Sequence, residues 1–177
     1  MKRRQFLKTS IIAGGAIAGV GGGALLLVDE TKRQDLNILS ALKKLDYLSN
    51  KKLMQTGQWQ LNKIFLHCAQ SIEYSMIGFP EHKSSFFKST VGALAFSIFS
   101  ARGEMTHGLS EDIPSAAPLS KNLDTMAALD YLKTSLTNFA NYKGSLAPHF
   151  AYGELNKHEY EVAHVMHLYN HLIEVKS

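Results

Sequence analysis

Two stretches of the chain carry residues suited to chemistry: His164-Val165-Met166-His167-Leu168-Tyr169-Asn170-His171 near the C-terminus, and a lone His67 about a hundred residues earlier. In an α-helix, residues four apart stack on one face with Cβ atoms about 5–6 Å apart, so His167 and His171 can turn two imidazoles towards one point. His67, from a neighbouring helix, would complete a facial three-histidine set. Three neutral nitrogens suit a divalent metal, Zn²⁺ first, with Ni²⁺, Fe²⁺ or Mn²⁺ as alternatives. They leave a coordination position open, as catalytic sites do. The same spacing has a plainer reading. His164, His167 and His171 span only about 60° of a helical wheel, which also describes a half-buried stripe of hydrogen-bonding core histidines. Eight histidines in 177 residues give several chance pairs at this spacing.

The N-terminus carries a second signal. Lys2-Arg3-Arg4-Gln5-Phe6-Leu7-Lys8 precedes an uncharged run, Thr9 to Val28, rich in Ala, Gly, Ile and Leu. This resembles a twin-arginine export signal and implies the twin-arginine translocase as a partner. An ordinary basic amphipathic helix fits less well, because residues 9–28 have no polar face and their glycines weaken an isolated helix. About twenty uncharged residues are enough to span a bilayer. The small-x-small pattern of a cleavage site is missing just before Asp29, so residues 1–28 read as either a removed signal peptide or a membrane anchor. Either way, the expected location is the periplasm or the outer face of the cytoplasmic membrane. Proteins on this route cross already folded, which suits a metal loaded beforehand.

Of the 19 basic residues, Lys2, Arg3, Arg4 and Lys8 belong to this leader, while all 15 acidic residues follow it. Residues 29–177 are therefore formally neutral and lack basic clusters, which argues against nucleic acid as a partner. The single cysteine, Cys68, rules out an internal disulfide, so stability must come from one apolar core, within reach of about 149 residues. Cys68 lies four residues from both Ile64 and Ile72. That places it on their buried stripe as a structural thiol rather than a nucleophile.

The elements that must position these groups read as helices, with no convincing strand. Asp35 to Asn50 carries Ile38, Leu42, Leu45 and Leu48, with Leu39 widening the stripe. After a break at Gln55–Gln58, Trp59 to Met76 carries Leu61, Ile64, Phe65, Cys68, Ile72 and Met76, and Gly78-Phe79-Pro80 ends it. Ser84 or Ser85 opens a third helix to about Ala101 through Phe86, Phe87, Val91, Leu94, Ala95, Ile98 and Phe99. An irregular crossing follows from Gly103 to Ser120. A fourth helix spans Leu123 to about Tyr142, and a loop from Gly144 to Leu155 leads to the last one. Asn156 caps that helix with Glu159 three residues on, and it runs to Val175. Helices with one apolar stripe each bury those stripes against one another as a bundle.

On these residues the chain resembles the DinB-like superfamily. The features are a single histidine within the second helix, in Leu66-His67-Cys68-Ala69, and a terminal His-x-x-x-His, in His167-Leu168-Tyr169-Asn170-His171. Ser71-Ile72-Glu73-Tyr74-Ser75, Gly78-Phe79-Pro80, Pro148-His149-Phe150 and Tyr152-Gly153-Glu154-Leu155 are similar to an uncharacterised branch of it. The resemblance covers nearly all of residues 29–177. It implies an all-α, DinB-like four-helix bundle with an additional helix, and a divalent metal on His67, His167 and His171. The superfamily includes bacillithiol transferases, but a shared scaffold does not carry a reaction with it.

Two functions follow as expectations. One is a metal-dependent transferase or hydrolase, in which the ion lowers the pKa of a water or thiol to make a nucleophile for a small-molecule substrate. The sequence places no carboxylate as the general base and leaves the catalytic residues unassigned, with Glu73 and Glu174 as the acids that could serve. The other is a non-catalytic envelope protein that binds metal or a small ligand, or serves a structural role. His149 and His164 either brace a metal ligand through its far nitrogen or, as the plainer reading, bond between helices. A homodimer stays open.

Overall fold

Asn37 opens the first helix by accepting a hydrogen bond from Ser40 N–H at 2.9 Å, a cap worth about 1 kcal/mol. The computed structural model describes residues 35–120 and 122–177, so the proposed leader at residues 1–28 lies outside the described residues. Helix α1 (Ile38–Ser49) buries Ile38, Ala41, Leu45 and Leu48 at spacings of three and four. Leu39, expected on the stripe, is 63 % exposed. One residue on from Ile38 it is turned about 100° round the axis, away from the core.

A short strand, β1 (Met54–Gln55), then pairs antiparallel with β2 (Val175–Lys176) at the end of the chain. Met54 lies opposite Lys176 and Gln55 opposite Val175, and Thr56 N–H donates to the Glu174 carbonyl at 2.8 Å. The expectation of no strands is thereby corrected, and so is the last helix's reach to Val175. Two-residue strands carry no periodicity to read.

Helix α2 (Leu61–Ile77) begins after Trp59, which is buried just outside it, and stops at Gly78 with φ 104°. Cys68 is 2 % exposed within it, and burial pushes its thiol well above the usual range. A short turn, α3 (Ser85–Phe87), leads through a π-helical turn (Lys88–Gly92) into α4 (Ala93–Arg102). Here the expected apolar face is corrected. Phe86, Val91 and Leu94 are exposed, and Phe96 is buried. The wider π turn breaks the 3.6-residue rhythm, so spacings counted across it point to the wrong face. Gly92 within that turn lies against the loop at Ala151, where a Cβ would come within 1.9 Å of the Ala151 oxygen.

Helix α5 (Thr125–Asn141) starts at Asp124, whose carboxylate accepts from Met126 and Ala127 N–H at 2.9 Å. Helix α6 (Lys157–Leu172) starts at Asn156 with the full reciprocal pairing to Glu159. The fold is all-α apart from the small ribbon. Helix α2 lies along α5, α1 packs on α5 and α6, and α6 packs on α2, with α4 added against α6. Leu45, Ile64, Phe65, Leu129, Leu132, Leu136, Phe139, Val165 and Leu168 meet in the middle with no exposed surface. Each such side chain is worth about 1.5–3 kcal/mol of transfer from water.

The crossing between α4 and α5 is held to α2 by Asn62, which donates to the Leu123 carbonyl (2.9 Å), and by Gln70, which donates to that of Ala117 (2.8 Å). Its own Met105 and Ile113 are buried. This crossing forms a lid beside the histidines of α2 and α6. No helix among the described residues is long and apolar enough to cross a membrane.

Candidate metal centre

His67 lies in the first half of α2 and His171 in the last turn of α6. The β1–β2 ribbon ties the end of α6 to the segment that enters α2, so these two distant stretches of chain meet. His67 Nε2 is 3.2 Å from His167 Nε2, and His171 Nε2 is 3.1 Å from the same atom. The ligand atoms of the three residues all lie within 4.8 Å of one another. His171 and His67 are buried and His167 is half-buried.

Trp59 orients two of the rings, stacking on His171 (5.8 Å between centroids, 9° between planes) and meeting His67 edge-on (5.0 Å, 70°). The outer nitrogens, Nδ1 of His67 and of His171, are buried without a hydrogen-bond partner. Packing on the indole therefore takes the place of the usual polar brace behind a ligand.

A neutral imidazole nitrogen presents either one N–H or one lone pair. His167 Nε2 faces two other Nε2 atoms at hydrogen-bond distance, so at most one of those contacts is a directed hydrogen bond. A single cation shared by three lone pairs would satisfy all three nitrogens. Tetrahedral bonds of about 2.05 Å to imidazole place ligand nitrogens about 3.3 Å apart, close to the contacts seen here. Burial, with the neighbouring histidines adding to it, holds His67 down to about 4, His171 down to about 3 and His167 well below its ordinary value. All three rings are thus neutral at pH 7, the form a metal binds. The residues fit a divalent ion.

A cavity of about 410 Å³ opens over this cluster, lined by His67 and His167 among others. Lys83, Glu111 and Asp112 give it charge, and Phe87, Ile113 and Phe150 give it apolar wall. Asp112 is paired with Lys63 at 2.9 Å. Both acids sit on the crossing, in irregular chain, where spacing alone gave no reason to pick them.

The two acids named from the sequence lie elsewhere. Glu73 accepts from Ser135 Oγ at 2.9 Å and is bonded to Tyr131, on the side of α2 that meets α5. The Glu174 carboxyl packs against Gly57. Neither lines the cavity. His164 bonds between helices: Ser75 Oγ–H donates to the Ile72 carbonyl at 2.6 Å, so its oxygen accepts from His164 Nε2–H at 3.1 Å. His149 braces a turn, its Nδ1 accepting from Ala151 N–H (3.2 Å) and Tyr152 N–H (3.1 Å) while its ring stacks on Tyr152 at 4.3 Å. Both histidines line the cavity without joining the cluster.

One residue at the site escaped the sequence reading entirely. His107, on the crossing, places its ring 4.9 Å from that of His167 and 5.1 Å from that of His171.

No curated protein and no solved structure matches the chain. A family model described as Protein of unknown function (DUF1569) matches residues 30–177, which include every residue of this cluster. The chain, a helical bundle with three histidines gathered beside a cavity, therefore belongs to the DUF1569 family.

Proposed function

We propose that this is a metal-binding protein whose divalent ion is held by His67, His167 and His171, and that it acts as a metal-dependent transferase or hydrolase on a small molecule. The observation that carries this reading is the meeting of three Nε2 atoms, two of them 3.1–3.2 Å from the third, next to a cavity of about 410 Å³. The resemblance to DinB-like metalloproteins supports it. A divalent ion supplies a Lewis acid that lowers the pKa of a bound water or thiol. The chain's own residues hold the rings neutral by burial, fix two of them against Trp59 and enclose the substrate. Glu111 stands in the cavity wall as a carboxylate able to take up a proton, and Lys83 supplies a positive charge for an anionic substrate group. Zn²⁺ suits three imidazoles best, with Ni²⁺, Fe²⁺ and Mn²⁺ as the other outcomes of the measurement.

A non-catalytic, metal- or ligand-binding envelope protein is the second reading. It is favoured by the burial of His171 and the direct contacts among the rings. Export forms part of the proposal on the leader motif alone, with residues 1–28 as a twin-arginine signal or anchor and the periplasm as destination.

Elemental analysis of the full chain purified from the native compartment tests the metal. About one divalent ion per chain is expected, with His171→Ala reducing it to background and His167→Ala doing the same. Unchanged metal content in both variants would reject the site.

A further inference from the structure

His107 is tied by its near nitrogen. Nδ1 lies 2.9 Å from the Gly108 carbonyl oxygen. A carbonyl only accepts, so Nδ1 carries the proton and Nε2 carries the lone pair. That Nε2 is buried and has no hydrogen-bond partner, an arrangement that is unfavourable unless something else meets the lone pair.

The rings around it form a cage. Centroids are 5.0 Å apart for His67 and His167, 4.9 Å for His67 and His171, and 4.8 Å for His167 and His171, against 4.9 Å and 5.1 Å from His107 to His167 and His171. Four imidazoles bound through nitrogen to one tetrahedral ion at about 2.05 Å would have centroids about 5.2 Å apart. Five of the six pairs already stand near that value. The tight group by nitrogen distance remains His67, His167 and His171, with His107 at its edge, on the non-helical crossing rather than on α2 or α6.

We infer that His107 is a fourth donor to the same ion, supplied by the crossing loop, and that it fills the coordination position the three helical histidines leave free. Its Nδ1–H to a backbone carbonyl is the brace metal-bound histidines ordinarily have, which His67 and His171 lack here. Because its neighbours Thr106 and Gly108 are exposed, the loop can withdraw the ring without disturbing the bundle. His107 would thus be the exchangeable ligand, giving way to a substrate atom entering from the cavity that it also lines. This inference rests on the three-histidine metal site proposed above.

The test loads the full chain with Zn²⁺ and with Co²⁺. X-ray absorption on the Zn²⁺ form should count four imidazoles in the natural chain and three in His107→Ala. The Co²⁺ form should show an altered visible spectrum in that variant, and metal affinity should fall at least tenfold. His107→Gln, which keeps the bulk of the side chain, should behave as His107→Ala does, and near-ultraviolet circular dichroism establishes that each variant is folded. Three imidazoles in the natural chain, with spectrum and affinity unmoved by either substitution, would overturn the role of His107 while leaving the three-histidine site standing. A natural chain that takes up no stoichiometric metal would overturn both.

Discussion

At the level of single residues, burial decides what the histidines can do. His149 and His164 are held down to about 3, chiefly by burial, against an ordinary value of 6.5. The unfolded chain takes up protons below about pH 6.5 that the folded chain refuses until about pH 3. Their contribution to stability is therefore intact above pH 6.5 and is lost as pH falls through that window. His67 and His171 act in the same direction. Each group can contribute up to about 1.4 kcal/mol per pH unit. Urea unfolding of metal-free protein should show the midpoint falling steadily from pH 7 to pH 4.5, and a flat midpoint would contradict neutral buried rings. The pairing of His167 with His171 was legible because helical spacing is a residue-level signal. His107 was not, since a histidine between Thr106 and Gly108 in irregular chain has no period to stand out against.

Among the elements, helices beginning with a side-chain cap were readable to within about three residues at each end. Asn156 and Glu159 announce α6, and proline and glycine punctuate the end of α2. The 85–102 segment was read as one regular helix, and the π turn at Lys88–Gly92 shifted its buried face onto Phe96. Gly92 there makes a close approach that an alanine cannot share. Ordinarily Gly→Ala in a helix gains about 1 kcal/mol. At this position the added carbon would stand 1.9 Å from a backbone oxygen of the 149–153 turn, and relieving such overpacking costs about 1–3 kcal/mol. Gly92→Ala should therefore lower the melting temperature instead of raising it, as calorimetry would show.

For the molecule as a whole, the proposed metal site would couple ion binding to folding, because the three imidazoles come together only when α2 and α6 pack. An ion that binds the folded chain alone stabilises it by about 2.7 kcal/mol at a free concentration one hundred times its dissociation constant. Zn²⁺ should raise the melting temperature, chelator should reverse the rise, and His171→Ala should abolish it. Thermal scans with and without chelator would measure this, and equal shifts in natural chain and variant would locate the ion elsewhere. The all-α bundle, the even charge balance of residues 29–177 and two histidines on one face of the last helix could be read from sequence, because charge counts, caps, apolar stripes and i, i+4 spacing are local properties of the chain. Tertiary structure alone decided that His67 reaches those two, that Trp59 packs on the rings, and that His107, Glu111 and Asp112 border the site instead of Glu73 and Glu174. Those contacts join residues tens of positions apart through a ribbon and a loop, and no local pattern encodes a distance across the fold.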